Sequence, residues 1–299
     1  MMLTINQLQV KYGNQLALSI KEPISFLEGD RIGIIGSNGA GKSTLVKSVL
    51  GITNYQGSIV TDLKPEQIAV HMQHNHYAST MAVKYIMEAV LNTSIKKDRR
   101  LQELITFFDF EGCLNKKYDA LSGGQKQRLT IIMVLIQDAP LVFFDEVTSG
   151  LDFETRQKLM TKMTEWYQGK DTTLCVVSHY YEELEQLVNK VLILEEGQVV
   201  DFGEKGELFR TYCGKTVITI DHNERNEALT EGFMKLKAPN HLIALSCQNR
   251  ETEHEVTAML IKEDINFKRS NSDIEIMSIN AKAQFANRKE EITHDEKTA

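Results

Sequence analysis

The stretch "RIGIIGSNGAGKSTLVKSVLG" at residues 31–51 constrains the fold more than any other part of the chain. A short apolar run ends in Gly36, the Gly-rich "GSNGAGKST" of residues 36–44 follows, and apolar residues at helical spacing then run to a glycine stop. Strand, loop and helix in that order are the setting a phosphate-binding loop requires, because free backbone N–H groups and the positive end of the helix dipole then face one point. Gly36, Gly39 and Gly41 let the backbone wrap a triphosphate, the Lys42 ammonium reaches its β and γ phosphates, and the Ser43 hydroxyl offers a ligand for Mg²⁺. By itself this loop implies a nucleoside triphosphate and no more.

The alternation continues downstream. "IAVHM" at 68–72, "PLVFFDE" at 140–146 and "TTLCVVSH" at 172–179 read as strands between helical patterns, which implies a largely parallel sheet covered on both faces. Residues 3–10 alternate as a further strand, and "VNKVLILEEGQVVDFG" at 188–203 predicts a hairpin around "EEGQ". Residues 80–110 carry Met81, Tyr85, Ala89, Leu101, Leu104, Ile105 and Phe108 at helical intervals and predict a helical insertion. The strand at 141–145 delivers Asp145 to its C-terminal end, where open parallel sheets bind ligands. There Asp145 can hold the Mg²⁺ shell and Glu146 can polarise an attacking water. "LSGGQKQR" at 121–128 heads another helix and makes a second anion cradle.

From about Gly214 a second unit begins. "TVITID" (216–221), "HLIALS" (241–246) and "DIEIMSI" (273–279) read as strands, with helical patterns at 224–236 and 251–263, so a small α/β domain is expected over 214–286. The polar residues 287–299 are expected to fray.

Composition excludes several classes. The net charge is −7 and no basic block is longer than "KKDRR" at 96–100, so no nucleic-acid partner is expected and that block reads as a solvated helix face. Cys113, Cys175, Cys213 and Cys247 are scattered, without zinc or disulfide spacing, and read as reduced thiols. The N-terminus lacks the apolar core of a signal peptide, and the longest apolar stretch, 129–144, is broken by Gln137, Asp138 and Pro140, so the chain is not expected to span a membrane by itself. "HMQHNH" at 71–76 has metal-like density but reads better as a polar loop around Gln73.

A phosphate loop, then "LSGGQ", then an apolar strand ending in "DE", then "SGLD" and a lone His179 after a strand: this combination, over about residues 3–212, resembles the nucleotide-binding subunit of an ATP-binding cassette (ABC) transporter. The resemblance implies an α/β fold, the P-loop NTPase ABC cassette, with a mostly parallel sheet, N-terminal antiparallel strands and a helical insertion at about 74–128. The cassette would occupy residues 1–213, ahead of the small C-terminal α/β domain. It implies ATP and Mg²⁺, with Ser37, Asn38, Gly39, Ala40, Gly41, Lys42, Ser43 and Thr44 around the phosphates, and Tyr12 on the adenine. Gln73 would sense Mg²⁺ and water and join Ser43 and Asp145 at the metal. Glu146, His179 and Lys42 would be catalytic, His179 contacting the γ-phosphate, and Ser149 to Asp152 would form a loop crossing between subunits.

In the family the signature of one subunit closes over the ATP of the other, so Ser122, Gly123, Gly124 and Gln125 would hold a partner's γ-phosphate. The resemblance therefore implies an ATP hydrolase that works as a homodimer with a separate transmembrane permease subunit, at the cytoplasmic face of the membrane. The apolar stripe of the insertion reads first as a packing face; as the alternative, the resemblance implies that exposed members among Met81, Tyr85 and Met87 would serve that permease. The residue after "DE" is commonly proline in the family and is Val147 here, with little effect expected. The loop "NGAGKST", the short insertion and the appended unit resemble stand-alone ATPases of bacterial exporters of drugs, antimicrobial peptides or lipids. Export is the expected direction, with an importer ATPase as the alternative and a soluble non-transport ABC ATPase as a third reading.

Overall fold

The computed structural model describes residues 2–72 and 77–298, with side chains as far as residue 290. The chain opens with β1 (Leu3–Tyr12), β2 (Gln15–Ser19) and β3 (Ile24–Phe26), then β4 (Arg31–Gly36) and α1 (Lys42–Val49). β5 (Gln56–Val60) and β6 (Ile68–His71) lead to the insertion, α2 (Val83–Leu91) and α3 (Arg99–Phe107), and to α4 (Gly123–Leu135). β7 (Leu141–Asp145), α5 (Phe153–Tyr167), β8 (Thr173–Val177) and α6 (Tyr181–Leu187) alternate before the hairpin β9 (Lys190–Glu195) and β10 (Gln198–Glu204), and α7 (Lys205–Cys213) follows.

These strands form one sheet in the order β3-β1-β2-β10-β9-β4-β8-β7-β6, with β5 also paired to β1. The segment β9-β4-β8-β7-β6 is parallel. β7 and β8 are buried at every residue, as unbroken apolar runs should be when both sheet faces are covered. The pleat sorts neighbours to opposite faces: Ile34 and Phe143 pack with Leu45 and Val46 of α1, while Ile35 and Phe144 pack with Leu129 and Ile132 of α4. Each such side chain contributes roughly 1.5–3 kcal/mol of burial, so the two cores fix the sheet between its helices.

One consequence decides the site. Gly36, Asp145 and Val177 end β4, β7 and β8 at the same sheet edge, with Asp145 in register with Val177, and Ile34 with Val177.

In the insertion Leu101, Leu104, Ile105 and Phe108 are buried as expected. Met87 is buried too and so is not available to a partner, whereas Met81 and Tyr85 are 42% and 54% exposed. "KKDRR" is less idle than its composition suggests: Asp98 caps α3 by accepting from the Leu101 N–H, and Arg100 pairs with Asp138. The four cysteines are free and buried.

The C-terminal part contains β11 (Thr216–Asp221), α8 (Glu224–Leu229), β12 (Lys235–Leu236), β13 (Leu242–Cys247), α9 (Arg250–Lys262), β14 (Lys268–Ser270) and α10 (Ile274–Thr298). Its four strands form an antiparallel sheet in the order β12-β13-β11-β14, a split β-α-β arrangement. The expected strand at 273–279 is instead the start of α10. Asp273 Oδ1 accepts from the Ile276 N–H, and Ile274, Met277 and Ala281 lie buried on one helix face. A short apolar run satisfies both periods, and here the cap and the packing against α7 select the helix. The fourth strand is the polar edge segment "KRS", which carries no apolar alternation. The helix also continues through 287–298, where fraying was expected.

Candidate nucleotide site

The loop after β4 is shaped by its contacts with the sheet. A Cβ on Gly36 would lie 2.4 Å from the Leu194 carbonyl oxygen, and Gly41, at φ 99°, would put one 2.8 Å from that of Ala17. Only glycine lets the backbone approach so closely. Lys42 is buried and donates to the carbonyls of Gly36 (2.8 Å) and Ser37 (3.0 Å). Burial lowers its pKa from the ordinary lysine value, against Glu146 and Asp145, which favour its charge. Ser37, Asn38 and Gly39 form the exposed rim, Ala40 is buried, and Ser43 and Thr44 are half-buried at the start of α1.

Across from this loop, the Ser43 hydroxyl donates to Asp145 Oδ2 at 2.9 Å. Burial pushes the Asp145 carboxyl above its usual value, opposed by the Ser43 bond and aided by the neighbouring Glu146 charge. Glu146 has φ 50°, a left-handed conformation that costs a side-chain-bearing residue on the order of 1–3 kcal/mol. Its N–H bonds to the Val177 carbonyl at 2.9 Å, tying the turn to the end of β8. His179, 41% exposed, places Nε2 3.1 Å from Glu146 Oε1. A carboxylate and an imidazole thus meet beside the phosphate loop, with the residues expected from sequence.

Tyr12 is brought in as well. Its phenol is 50% exposed at the end of β1, and its pKa is lowered chiefly by the Thr53 hydroxyl, with Thr44 helping and burial opposing. The signature lies elsewhere in its contacts. Ser122 caps α4: its Oγ accepts from the Gln125 N–H at 3.3 Å, while Gln125 Oε1 accepts from the Ser122 N–H at 3.1 Å. Among the described residues, no hydrogen bond or ion pair joins Ser122, Gly123, Gly124 or Gln125 to the phosphate loop. Asp152 caps α5, accepting from the Thr155 N–H and hydroxyl at 3.0 and 2.7 Å, and these bonds hold its carboxyl below the usual range. Gln73, His74 and His76 lie outside the described residues. His71 is buried and bonded through Nε2 to Thr130 (2.9 Å) and Gln127 (3.1 Å), which makes it a core histidine.

Sequence reasoning passed over two carboxylates. Glu183 is buried and accepts from Thr148 (2.9 Å) and Ser178 (3.1 Å), with Arg156 Nε 3.3 Å from its other oxygen. It braces the ends of β7 and β8 just behind Glu146 and His179; burial raises its pKa although both hydroxyls and Arg156 oppose this. Its place one turn after His179, inside an otherwise apolar helix face, was the available signal. Thr148 is thereby fixed, so Val147 in the usual proline position, itself buried, leaves the following turn braced. The second carboxylate, Glu195, accepts from Ser37 at 3.0 Å.

The donors present suit the groups expected there. A hydroxyl and a carboxylate at 2.9 Å are the hard oxygen ligands Mg²⁺ prefers, and two adjacent acids, one pushed up in pKa, are short of positive charge. Lys42, whose bonds among the described residues go to loop carbonyls, is the matching cation for phosphate. Fold and site together define a P-loop nucleotide-binding protein.

The sequence profile of the ABC transporter family matches residues 23–149. "Methionine import ATP-binding protein MetN 1" of Staphylococcus aureus (strain bovine RF122 / ET3-1) is 30% identical over 222 residues, covering 67% of this chain and 65% of its own length. MetN of Haemophilus influenzae (strain ATCC 51907 / DSM 11121 / KW20 / Rd) is 32% identical over 201 residues, 61% of this chain and 58% of its own. The chain therefore spans less than two thirds of the curated relatives it matches. Among solved structures, an "ATP binding subunit of ABC transporter" superposes with a TM-score of 0.63 at 23% identity, over 71% of this chain and 93% of that one. The dimeric cassette MJ0796 gives 0.60 at 22%, over 68% and 98%.

Residues 23–149 thus form an ABC transporter ATP-binding domain, and the relatives of this chain are ATP-binding subunits of ABC transporters. The named relatives are import proteins, so the expectation of export from the loop and insertion is not supported.

Proposed function

We propose that this chain is the ATP-hydrolysing subunit of an ABC transporter, and that the transporter imports its substrate through a separate membrane-spanning permease. The observation that carries the reading is the cluster at one sheet edge: Ser43 on Asp145, Glu146 on His179, and Lys42 inside the phosphate loop. Import is the direction named for the relatives. Residues 1–213 act as the cassette and 214–286 as an accessory unit. No helix among the described residues is long and apolar enough to cross a membrane, which agrees with a separate permease and a place at the cytoplasmic face.

In this reading Lys42 leaves the Gly36 and Ser37 carbonyls for the β and γ phosphates, and the loop N–H groups complete the cradle. Ser43 and Asp145 hold Mg²⁺, which when bound neutralises charge developing on the phosphate oxygens. Glu146 orients water for in-line attack, and His179 keeps that carboxylate aimed. Ser122 and its helix terminus serve the site of a second copy, so two chains pair with a nucleotide at each junction.

The test uses the Glu146→Gln chain with ATP, purified from a mild detergent extract. Co-purification of a polytopic membrane protein in near-equal amount is expected, and recovery of only a soluble dimer or a ribosome overturns the transport reading. With the wild-type complex of the same two proteins in vesicles, ATP on the cassette side should move substrate toward that side; movement away from it would restore export.

A further inference from the structure

α10 returns from the C-terminal sheet to the nucleotide site. Its first N–H, on Ile274, bonds to Glu185 Oε1 of α6 at 3.1 Å, one helix beyond His179. Eight residues on, Lys282 Nζ sits 2.9 Å from Glu195 Oε2, and Lys289 sits 3.3 Å from Glu196. Glu195 ends β9, and Glu196 and Gly197 make its turn to β10; this end of the hairpin forms the back wall of the phosphate loop. Leu194 closes on Gly36, Glu195 takes the Ser37 hydroxyl at 3.0 Å, and a Cβ on Gly41 would lie 3.7 Å from Gly197 Cα. The path from α10 to the loop therefore has a single intervening residue.

We infer that Lys282 is a positioning residue of the nucleotide site, which acts through Glu195 to hold Ser37 and to cancel a carboxylate charge beside the triphosphate cradle. Glu195 is about a quarter exposed and fixed against the loop rim, so without Lys282 its negative charge faces a ligand of the same sign. Charge and geometry point the same way. The ammonium also holds the carboxylate with both oxygens occupied, one by Ser37 and one by itself. The accessory unit, on this account, contributes a residue to the affinity of the cassette for nucleotide.

This rests on the proposed ATP-binding role, and the experiment separates the two. Full-length wild type, Lys282→Met, Lys282→Arg and the Lys282→Met/Glu195→Gln double variant are titrated with MgATP and MgADP by calorimetry, with melting curves taken without nucleotide. Lys282→Met keeps the stem that packs, and is expected to weaken MgATP binding about three- to tenfold, with a smaller loss for MgADP and a larger one at low salt. Lys282→Arg and the double variant should recover most of the loss, which a packing role would not allow. Equal affinities for Lys282→Met and wild type, or a loss that Glu195→Gln fails to relieve, overturn the inference while leaving the ATPase reading intact. Wild type that binds no MgATP overturns both.

Discussion

Around the phosphate loop, Ser43 is bonded to Asp145, Glu146 to His179, and Lys42 to its own loop, whereas around Ser122 the side-chain bonds are those that Ser122 and Gln125 exchange with the N–H groups of their own helix turn. The first region is assembled within one chain from three strands that end at one sheet edge and the helix that starts there. The second is a capped helix start with Ser122 and Gly123 exposed and, among the described residues, no hydrogen bond or ion pair to the phosphate loop. The difference teaches that a single copy can organise the chemistry without closing on it. On the proposed function, closure needs a second copy, whose exposed helix start would complete the cradle.

The largest expected effect breaks the assembled half. Glu146→Gln should lower ATP turnover by about 10²–10⁴-fold, the range for a lost general base, with nucleotide binding retained. Turnover near the wild-type rate in a coupled phosphate-release assay would remove Glu146 from that role.

Next comes the brace behind it. Glu183→Ala leaves Arg156 and two hydroxyls without their buried acceptor, so denaturant unfolding should show a loss of about 3–5 kcal/mol, and Glu183→Gln less. A loss below 1 kcal/mol would mean the brace is not structural.

The signature half is sharpened by a mixing experiment. Ser122→Ala should cost about 1 kcal/mol through the lost cap, a modest folding effect, yet should remove most turnover. Mixed with Lys42→Ala, which is defective in the other half, it should regain part of the activity, because one junction of the mixed dimer is intact. No recovery on mixing would argue that the signature does not serve a partner.

The smallest effect is a pH slope. Asp145 and Glu183 both have folded pKa values above their ordinary ones, so the folded state holds protons more tightly than the unfolded chain. Their contribution to stability is present at low pH and is lost as pH rises through the raised values. Asp145→Asn should flatten the pH dependence of melting in that acidic window for the nucleotide-free protein; an unchanged slope would show that Asp145 titrates normally.

Much of the cassette was readable because its parallel strands are continuous apolar runs and its loop chemistry is local. Gly36 to Thr44, Asp145, Glu146 and His179 each sit at the end of a strand that the sequence marks, so their meeting follows from the register of β4, β7 and β8. The strand at 273–279 was misread because "DIEIMSI" fits both periods, and only the Asp273 cap and burial against the cassette choose the helix. The packing face that the pattern of the insertion predicts takes in Met87, which is buried, whereas Met81 and Tyr85 stay exposed, a division that periodicity alone does not make. The direction of transport was likewise not legible in the motifs, which serve nucleotide and not cargo.

The sequence by itself determined the phosphate loop, the order of strands and helices and the carboxylate–histidine pair, because each depends on residues near one another in the chain or on strand ends fixed by burial. The tertiary structure alone decided that Glu183 braces the site and that Lys282, far along the chain, reaches Glu195 and through it Ser37. Such contacts arise from how α6 and α10 pack on the sheet, and no local periodicity encodes which distant charges that packing brings together.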